Sequence, residues 1–388
     1  MPQRAYLDYY GAAAIIPVHQ DTRDFAGHVR RRAALYRALR LPEIAFRNST
    51  VLEFGPGTGD NARATSTFGP AEYVLFDGNP ASIQAIQDKM AAGELNPAVC
   101  TVVEGDFLAP APDSVASRTF DIVLAEGCIP YQRDPAAAVR HVAEFVRPGG
   151  VLVITTTDQV SMLSEICRRY YKPAIMRLSG DDFDAALELS SRVYGPQLAH
   201  LPAASRPVED WVLDNILHPW GTTWALSIGD AIAASPELQF LGSSPDFAVD
   251  WRWYKTFADT AEDWNQPASA AWMRVSPYTL DWRAPYEGPL PASAGLDVAR
   301  LARRAADLIE EDWASDSYDR SAEILGALGD LGAILAEQGI LPGVQSGIAG
   351  FAEVVQGLNA GDVHLRVPAF DEWWGRGMQY VSFTRSAG

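Results

Sequence analysis

The chain has 388 residues, room for two or three domains or for one domain with large insertions. Its formal net charge of -18 excludes a surface built to neutralise nucleic-acid phosphates. Three cysteines without metal-ligand spacing (Cys100, Cys128, Cys167), no signal-like segment after Met1 and no membrane-length apolar run lead us to expect a cytoplasmic protein with free thiols.

The first 48 residues read as a helical segment that lies over the rest of the fold. From about Ser49 short apolar runs alternate with helical stretches. VLEF (51–54) predicts a strand, followed by a glycine turn and a helix over roughly 60–67. YVLFD (73–77) predicts a second strand, with a helix through Ile83, Ile86 and Met90 behind it. CTVVEGD (100–106) and FDIVLAE (120–126) predict the third and fourth, and a helix through Val139, Val142 and Phe145 leads to an RPGG turn and the strand VLVITTT (151–157). Strands separated by helices require crossover connections, hence a mostly parallel sheet.

Residues 158–177 and 181–194 then read as helices, with 158–225 as an insertion. LSIGDAIAAS (226–235) predicts a short helix, and two extended runs around a GSSP turn predict a terminal antiparallel hairpin ending near residue 259. Beyond PLPAS, leucine, isoleucine and alanine recur at helical spacing, and the acidic cluster Glu310, Glu311, Asp312, Asp316, Asp319 reads as a solvated face. HLRVPAFDEWWGRGMQYVSF reads as loop plus strand.

The stretch VLEFGPGTGDN, Val51 to Asn61, brings backbone close to a ligand, and its spacing narrows which one. A dinucleotide fingerprint needs a third glycine five residues after Gly55, where Asp60 stands, and a P-loop needs a lysine this turn lacks. Glu53, Gly55, Gly57 and Gly59 instead resemble the E/D-x-G-x-G-x-G turn of class I S-adenosylmethionine-dependent methyltransferases. Asp77, at the end of the second strand, stands where an acid accepts hydrogen bonds from ribose hydroxyls, with Gly78-Asn79 beside it. Asp106 and Phe107 end the third strand where that family places a carboxylate and an apolar residue against adenine, and RPGG resembles the family's turn before its fifth strand. The resemblance implies a Rossmann-like α/β fold: a mostly parallel seven-stranded sheet with helices on both faces, an inserted cap and a helix-rich C-terminal region. It implies a lid over 1–48, a methyltransferase domain over 49–260 and the helical region over 261–388. The cofactor implied is S-adenosylmethionine, held by Glu53, Gly55, Pro56, Gly57, Gly59, Asn61, Asp77, Gly78, Asn79, Asp106, Phe107 and Glu126.

The methyl acceptor is less constrained. Glu126 ends the fourth strand, either facing the acceptor as base or cation ligand, or capping a helix or pairing with an arginine. Pro130-Tyr131 loosely resembles the [D/N]PPY motif of amino-group methyltransferases. Tyr6 and Tyr10 of YLDYY match the spacing of the Y-F-x-x-Y helix of protein arginine methyltransferases, and Glu126 with Asp134 stands near their paired glutamates, one residue short of the usual spacing. On that likeness the catalytic candidates are Glu126, Asp134 and Tyr10. Tyr6, Tyr9, His19, Tyr131, Trp211, Asp214, His218 and Trp220 are the substrate-side candidates; the tyrosines and tryptophans would serve equally as packing. Arg30 to Arg32 could contact an acidic substrate, but an arginine run on a helix usually reads as solvated. YYG…IIPV, RPVEDWVLDN and DWRWYK resemble bacterial methyltransferases of polysaccharide or secondary-metabolite pathways. Together these imply a small polar acceptor, with a lean to an amine or guanidine over a sugar hydroxyl. A non-catalytic binding protein on the same fold is the alternative from another class. No nucleic-acid, membrane or metal partner is expected, and the C-terminal helices either dimerise the chain or cover the active site.

Overall fold

A computed structural model describes residues 20, 22–106, 109, 112–130, 132–202, 207–218, 225–256, 264–315 and 317–387. The strands are β1 (Thr50–Phe54), β2 (Glu72–Asp77), β3 (Cys100–Glu104), β4 (Phe120–Ala125), β5 (Val146–Thr156), β6 (Leu238–Ser244) and β7 (Gln379–Arg385). They form one sheet in the order β3-β2-β1-β4-β5-β7-β6, with β1 to β5 parallel and β7 antiparallel to both neighbours. β1 and β2 are buried along nearly their whole length because sheet strands covered by helices on both faces have no wet side. Val51, Tyr73, Leu75, Ile122, Leu124 and Val153 enter one core cluster with Tyr36, Leu39 and Phe46.

Helix α1 (Phe25–Ala38) precedes the sheet, and α2 (Asp60–Ser66), α3 (Pro80–Ala91), α4 (Asp113–Ala116) and α5 (Pro135–Glu144) are its crossovers. Local chemistry fixes their starts. Asn79 and Asp134 accept the amides of Ala81 and Ala137, and each is followed by a proline whose missing N–H costs nothing in a first turn.

Three expectations need correction. The hairpin around GSSP does not form: β6 pairs with β7, supplied by the C-terminal end of the chain. The reason is burial. QYVSFTR alternates with Val381 and Phe383 inside, whereas Trp251, Trp253 and Tyr254 are 90%, 61% and 66% exposed and have no face to bury. RPGG is not a separate turn but part of β5, which begins at Val146. The single helix expected over 158–177 is two, α6 (Leu163–Arg169) and α7 (Lys172–Leu178), interrupted at Tyr170-Tyr171 with Pro173 in the new first turn.

The chain divides into two compact units. One comprises Met1–Thr156, Trp224–Ser269 and Gln379–Gly388, the other Thr157–Thr223 and Ala270–Met378. The second holds α6, α7, α8 (Phe183–Leu198), α9 (Val208–Val212) continuing into a π-helical turn (Leu213–Leu217), and the long helices α12 (Ala292–Ala314), α13 (Ser321–Glu337) and α14 (Pro342–Asn359). Helices α10 (Ile228–Ala234) and α11 (Asn265–Val275) lie between α9 and α12 in sequence. Asp312 is not solvated as its cluster suggested: it is buried on α12 and accepts from Tyr170 Oη, Ser317 Oγ and the Arg320 amide at 3.0–3.2 Å. Among the described residues no helix is long and apolar enough to cross a membrane.

Candidate functional site

The sheet order places β1 beside β4 with successive strands running outward on both sides, the switch point at which open α/β sheets leave a crevice at their carboxyl ends. The glycine turn sits there. Gly55, Gly57 and Gly59 have φ of 65°, 58° and 77°, a region that a side chain makes costly. A Cβ on Gly55 would also lie 2.8 Å from Cβ of Cys128. The Cys128 thiol donates to the Phe54 carbonyl at 3.4 Å, and burial pushes its pKa up, so it packs under the turn as a neutral thiol.

Asp60, which argues against a pyrophosphate, is balanced within the protein. Burial opposes its ionisation, but the Thr58 hydroxyl at 2.7 Å and the Lys89 ammonium at 3.0 Å hold its pKa below the usual range. Asp77 accepts from the amides of Gly57 at 3.2 Å and Asn79 at 2.8 Å, tying the end of β2 to the glycine turn. Burial nevertheless raises its pKa to about 6 against those donors. Pro56 is buried within the turn, Asn61 lies in the first turn of α2, and Gly78 is half-buried beside Asp77. Asp106, half-buried, lies just past the end of β3, whose Glu104 is in register with Asp77.

Beneath the turn lies a cluster of ionisable groups that the sequence pattern did not reveal. Arg32 Nη2 bridges both carboxylate oxygens of Glu126 at 2.7 and 2.6 Å and donates to Tyr36 Oη at 2.5 Å, while Tyr36 donates to Glu126 at 3.0 Å. Glu53 accepts from the Tyr73 hydroxyl. Its pKa rises to about 7, first through burial and then through the nearby Glu126 charge, so part of the Glu53 population is protonated at neutral pH. Of the alternatives open for Glu126, the structure shows pairing with an arginine. The available signal was the spacing of His28, Arg32 and Tyr36, one face of α1, all buried.

Other candidates lie elsewhere. Asp134 is an exposed helix cap. Trp211 packs in the second unit with ring centroids 5.5 Å from Tyr194 and 5.7 Å from Trp374, and Asp214 and His218 are buried in the same unit. Tyr6, Tyr9, Tyr10, His19, Phe107, Tyr131 and Trp220 lie outside the described residues.

Residues 25–190 match the family model described as a methyltransferase domain. This segment is a class I methyltransferase domain, and S-adenosylmethionine is its cofactor. No curated protein matches the chain. Similar solved structures include an O-methyltransferase family protein from Burkholderia thailandensis (21% identity, 34% of this chain and 40% of that one, TM-score 0.28). The CcbJ methyltransferase from Streptomyces caelestis is 22% identical over 34% of this chain and 51% of its own, with a TM-score of 0.28. An S-adenosylmethionine-dependent methyltransferase from Mesorhizobium loti is 23% identical over 34% of this chain and 56% of its own, with a TM-score of 0.27. The chain therefore spans less than two thirds of each of these structures.

The residues of the methyltransferase domain fit the cofactor. The turn carries three glycines at positive φ, so its backbone can approach a ligand without side chains in between, and Asp77 is a buried acceptor tied to the Gly57 amide, suited to a ligand that presents hydroxyl donors rather than phosphates. Asp77 accepts ligand hydroxyls best when ionised. Affinity for S-adenosylhomocysteine is therefore expected to rise with pH, with a midpoint near about 6 set by the raised Asp77 pKa, and to flatten in Asp77→Asn. Calorimetry across that range checks this; a pH-independent affinity in the native chain would contradict it.

Proposed function

We propose that the chain transfers the methyl group of S-adenosylmethionine to a small polar molecule with an uncharged oxygen or nitrogen nucleophile, lodged at the carboxyl end of β4. The supporting observation is the glycine cradle joined to Asp77 at the switch point, with Glu126 at the end of the neighbouring strand. When bound, the cofactor supplies an electrophilic methyl carbon on a sulfonium. What the chain must add is alignment and exclusion of water, since in-line displacement depends on geometry more than on acid–base strength.

The lean to a cationic amine or guanidine rested on free carboxylates. Glu126 already carries an internal guanidinium and a phenol, so a cationic acceptor would have to displace Arg32. This favours a neutral nucleophile, with a sugar or natural-product hydroxyl placed level with an amine in its unprotonated form. With its pair to Arg32 intact, Glu126 orients the floor of the acceptor side. Glu126→Gln is accordingly expected to lose most turnover while cofactor affinity changes little.

The deciding experiment measures S-adenosylhomocysteine release over a panel of amines, guanidines and sugars. Cofactor binding without turnover on any of them would favour the non-catalytic alternative. No cofactor binding at all would remove the enzyme reading.

A further inference from the structure

The buried face of α1 starts with His28, one turn before Arg32. The imidazole is 3% exposed, and its Nε2, shut off from solvent, has no hydrogen-bond partner among the described residues. The hydrogen bond that acts on the ring is with the Asp60 backbone, and it favours the protonated form, as a carbonyl accepting from the ring does. Nδ1 therefore carries the proton and Nε2 keeps its lone pair, the tautomer that a proton acceptor needs. Two contacts place the ring. Asp60 follows Gly59, so His28 lies against the glycine turn that holds the cofactor. Arg32, four residues along the same helix face, reaches Glu126 at the end of β4 at 2.6 Å, where we place the acceptor. His28 thus stands between the donor's turn and the acceptor's strand end.

Arg32 Nε, on the same face, is a second buried atom without a partner among the described residues, a donor where His28 Nε2 is an acceptor. Each such group costs about 1–3 kcal/mol while unpaired, a cost that a ligand relieves. A molecule with a hydroxyl proton for Nε2 and a further oxygen for Arg32 Nε supplies both. The charges around the ring keep it neutral. Burial first, then Arg32 and Arg31 of its own helix, lower the His28 pKa below the ordinary histidine value. The Asp60 backbone and carboxylate of α2 act the other way, and that carboxylate is itself paired with Lys89 of α3. A neutral amine can attack first and shed its proton afterwards, whereas a hydroxyl is a poor nucleophile until a base takes its proton. A free lone pair at this place therefore serves a hydroxyl.

We propose that His28 is the general base of the reaction and that the methyl acceptor is a hydroxyl group, whose proton passes to Nε2. The proposal rests on the methyltransferase reading of the chain and decides within it between oxygen and nitrogen. The O–H bond breaks with its proton going to Nε2 and its electron pair to the new oxygen–methyl bond, while the carbon–sulfur bond breaks with its pair going to sulfur. The imidazolium gives its proton to water as the products leave.

The test compares the full-length native chain with His28→Gln and His28→Asn on a panel of phenols, sugars and amines, reading S-adenosylhomocysteine release at saturating S-adenosylmethionine. For hydroxyl acceptors kcat should fall by about a hundredfold or more in the variants, with KM changed by less than about threefold. Calorimetric affinity for S-adenosylhomocysteine should stay within about twofold. The loss should be largest for alcohols and smallest for para-nitrophenol, which is ionised near neutral pH and needs no base. Native kcat on a hydroxyl acceptor should fall with pH as the imidazole protonates and level off above, a limb that the variants lack. Equal losses for para-nitrophenol and alcohols, an unchanged kcat in the variants, or turnover of amines alone would each overturn the proposal and leave the methyltransferase reading intact. A native chain that binds the cofactor and turns over nothing in the panel removes that reading, and the base with it. If neither variant folds, the native profile decides, because a kcat that stays constant through and below the histidine range overturns the proposal.

Discussion

Arg168→Met is expected to lower the unfolding free energy by about 3–5 kcal/mol, measured by chemical denaturation. Arg168 is fully buried on α6. Its guanidinium donates to the carbonyls of Ser164, Trp373 and Phe370 at 3.0 Å and Asp371 at 3.2 Å, and to the Gln197 side chain at 2.8 Å. The Trp374 ring centroid lies 3.6 Å from its central carbon and that of Phe370 4.6 Å. Burial depresses its pKa to about 10, which still leaves it charged at neutral pH. One side chain thus joins α6 and α8 to the segment 370–374. Methionine fills a similar volume but removes one donor from each of five acceptors; the Phe370 and Asp371 carbonyls keep the Trp373 amide and Trp374 Nε1, and the others lose a bond whose absence costs about 1–3 kcal/mol per desolvated group before relaxation. Lysine keeps the charge but not the planar fork, so Arg168→Lys should fall between the two. A loss below about 1 kcal/mol in Arg168→Met would show that water or repacking serves those carbonyls instead.

What was legible in the sequence depends on which signals are local. The parallel core of the sheet could be read because each strand is a short apolar run ending in a residue with its own chemistry: Glu53 and Gly55 at the end of β1, Asp77 at the end of β2, Asp106 just past β3. The glycine turn could be read because positive φ at alternate positions leaves a glycine signature. The partner of β6 could not, since β7 lies more than a hundred residues away in sequence and pairing across that distance leaves no periodicity. Arg32 was misjudged for a related reason. An arginine among arginines looks solvated until a carboxylate from a distant strand end is folded against it, and Glu126 is 94 positions later. The lone Asp312 within an acidic run repeats the lesson, its burial decided by Tyr170 just past α6 rather than by its neighbours in sequence.

Arg32→Leu is expected to cost about 3–5 kcal/mol of stability near pH 8 and distinctly less near pH 5. Arg32 and Glu126 side chains are 7% and 3% exposed, so each desolvates the other's charge and neither has water to fall back on. Removing the guanidinium leaves Glu126 beside Glu53, whose pKa burial and the Glu126 charge have already raised to about 7, and takes away the Arg32 charge that moderated it. A carboxyl with a raised folded pKa favours the protonated fold. The stability it contributes is present below its unfolded value and is lost as pH rises through the folded one, so the deficit of the variant grows with pH from acid to about 8. The double variant Arg32→Leu/Glu126→Leu removes both charges together and should recover most of the loss at the higher pH, because a buried pair contributes less than breaking it costs. Melting curves of native, single and double variants at the two pH values separate the cases. If Arg32→Leu melts equally early at both, or if the double variant is no better than the single, then Arg32 acts through its contact with the Tyr36 ring, whose centroid lies 4.7 Å from the guanidinium carbon, and not through the charge on Glu126.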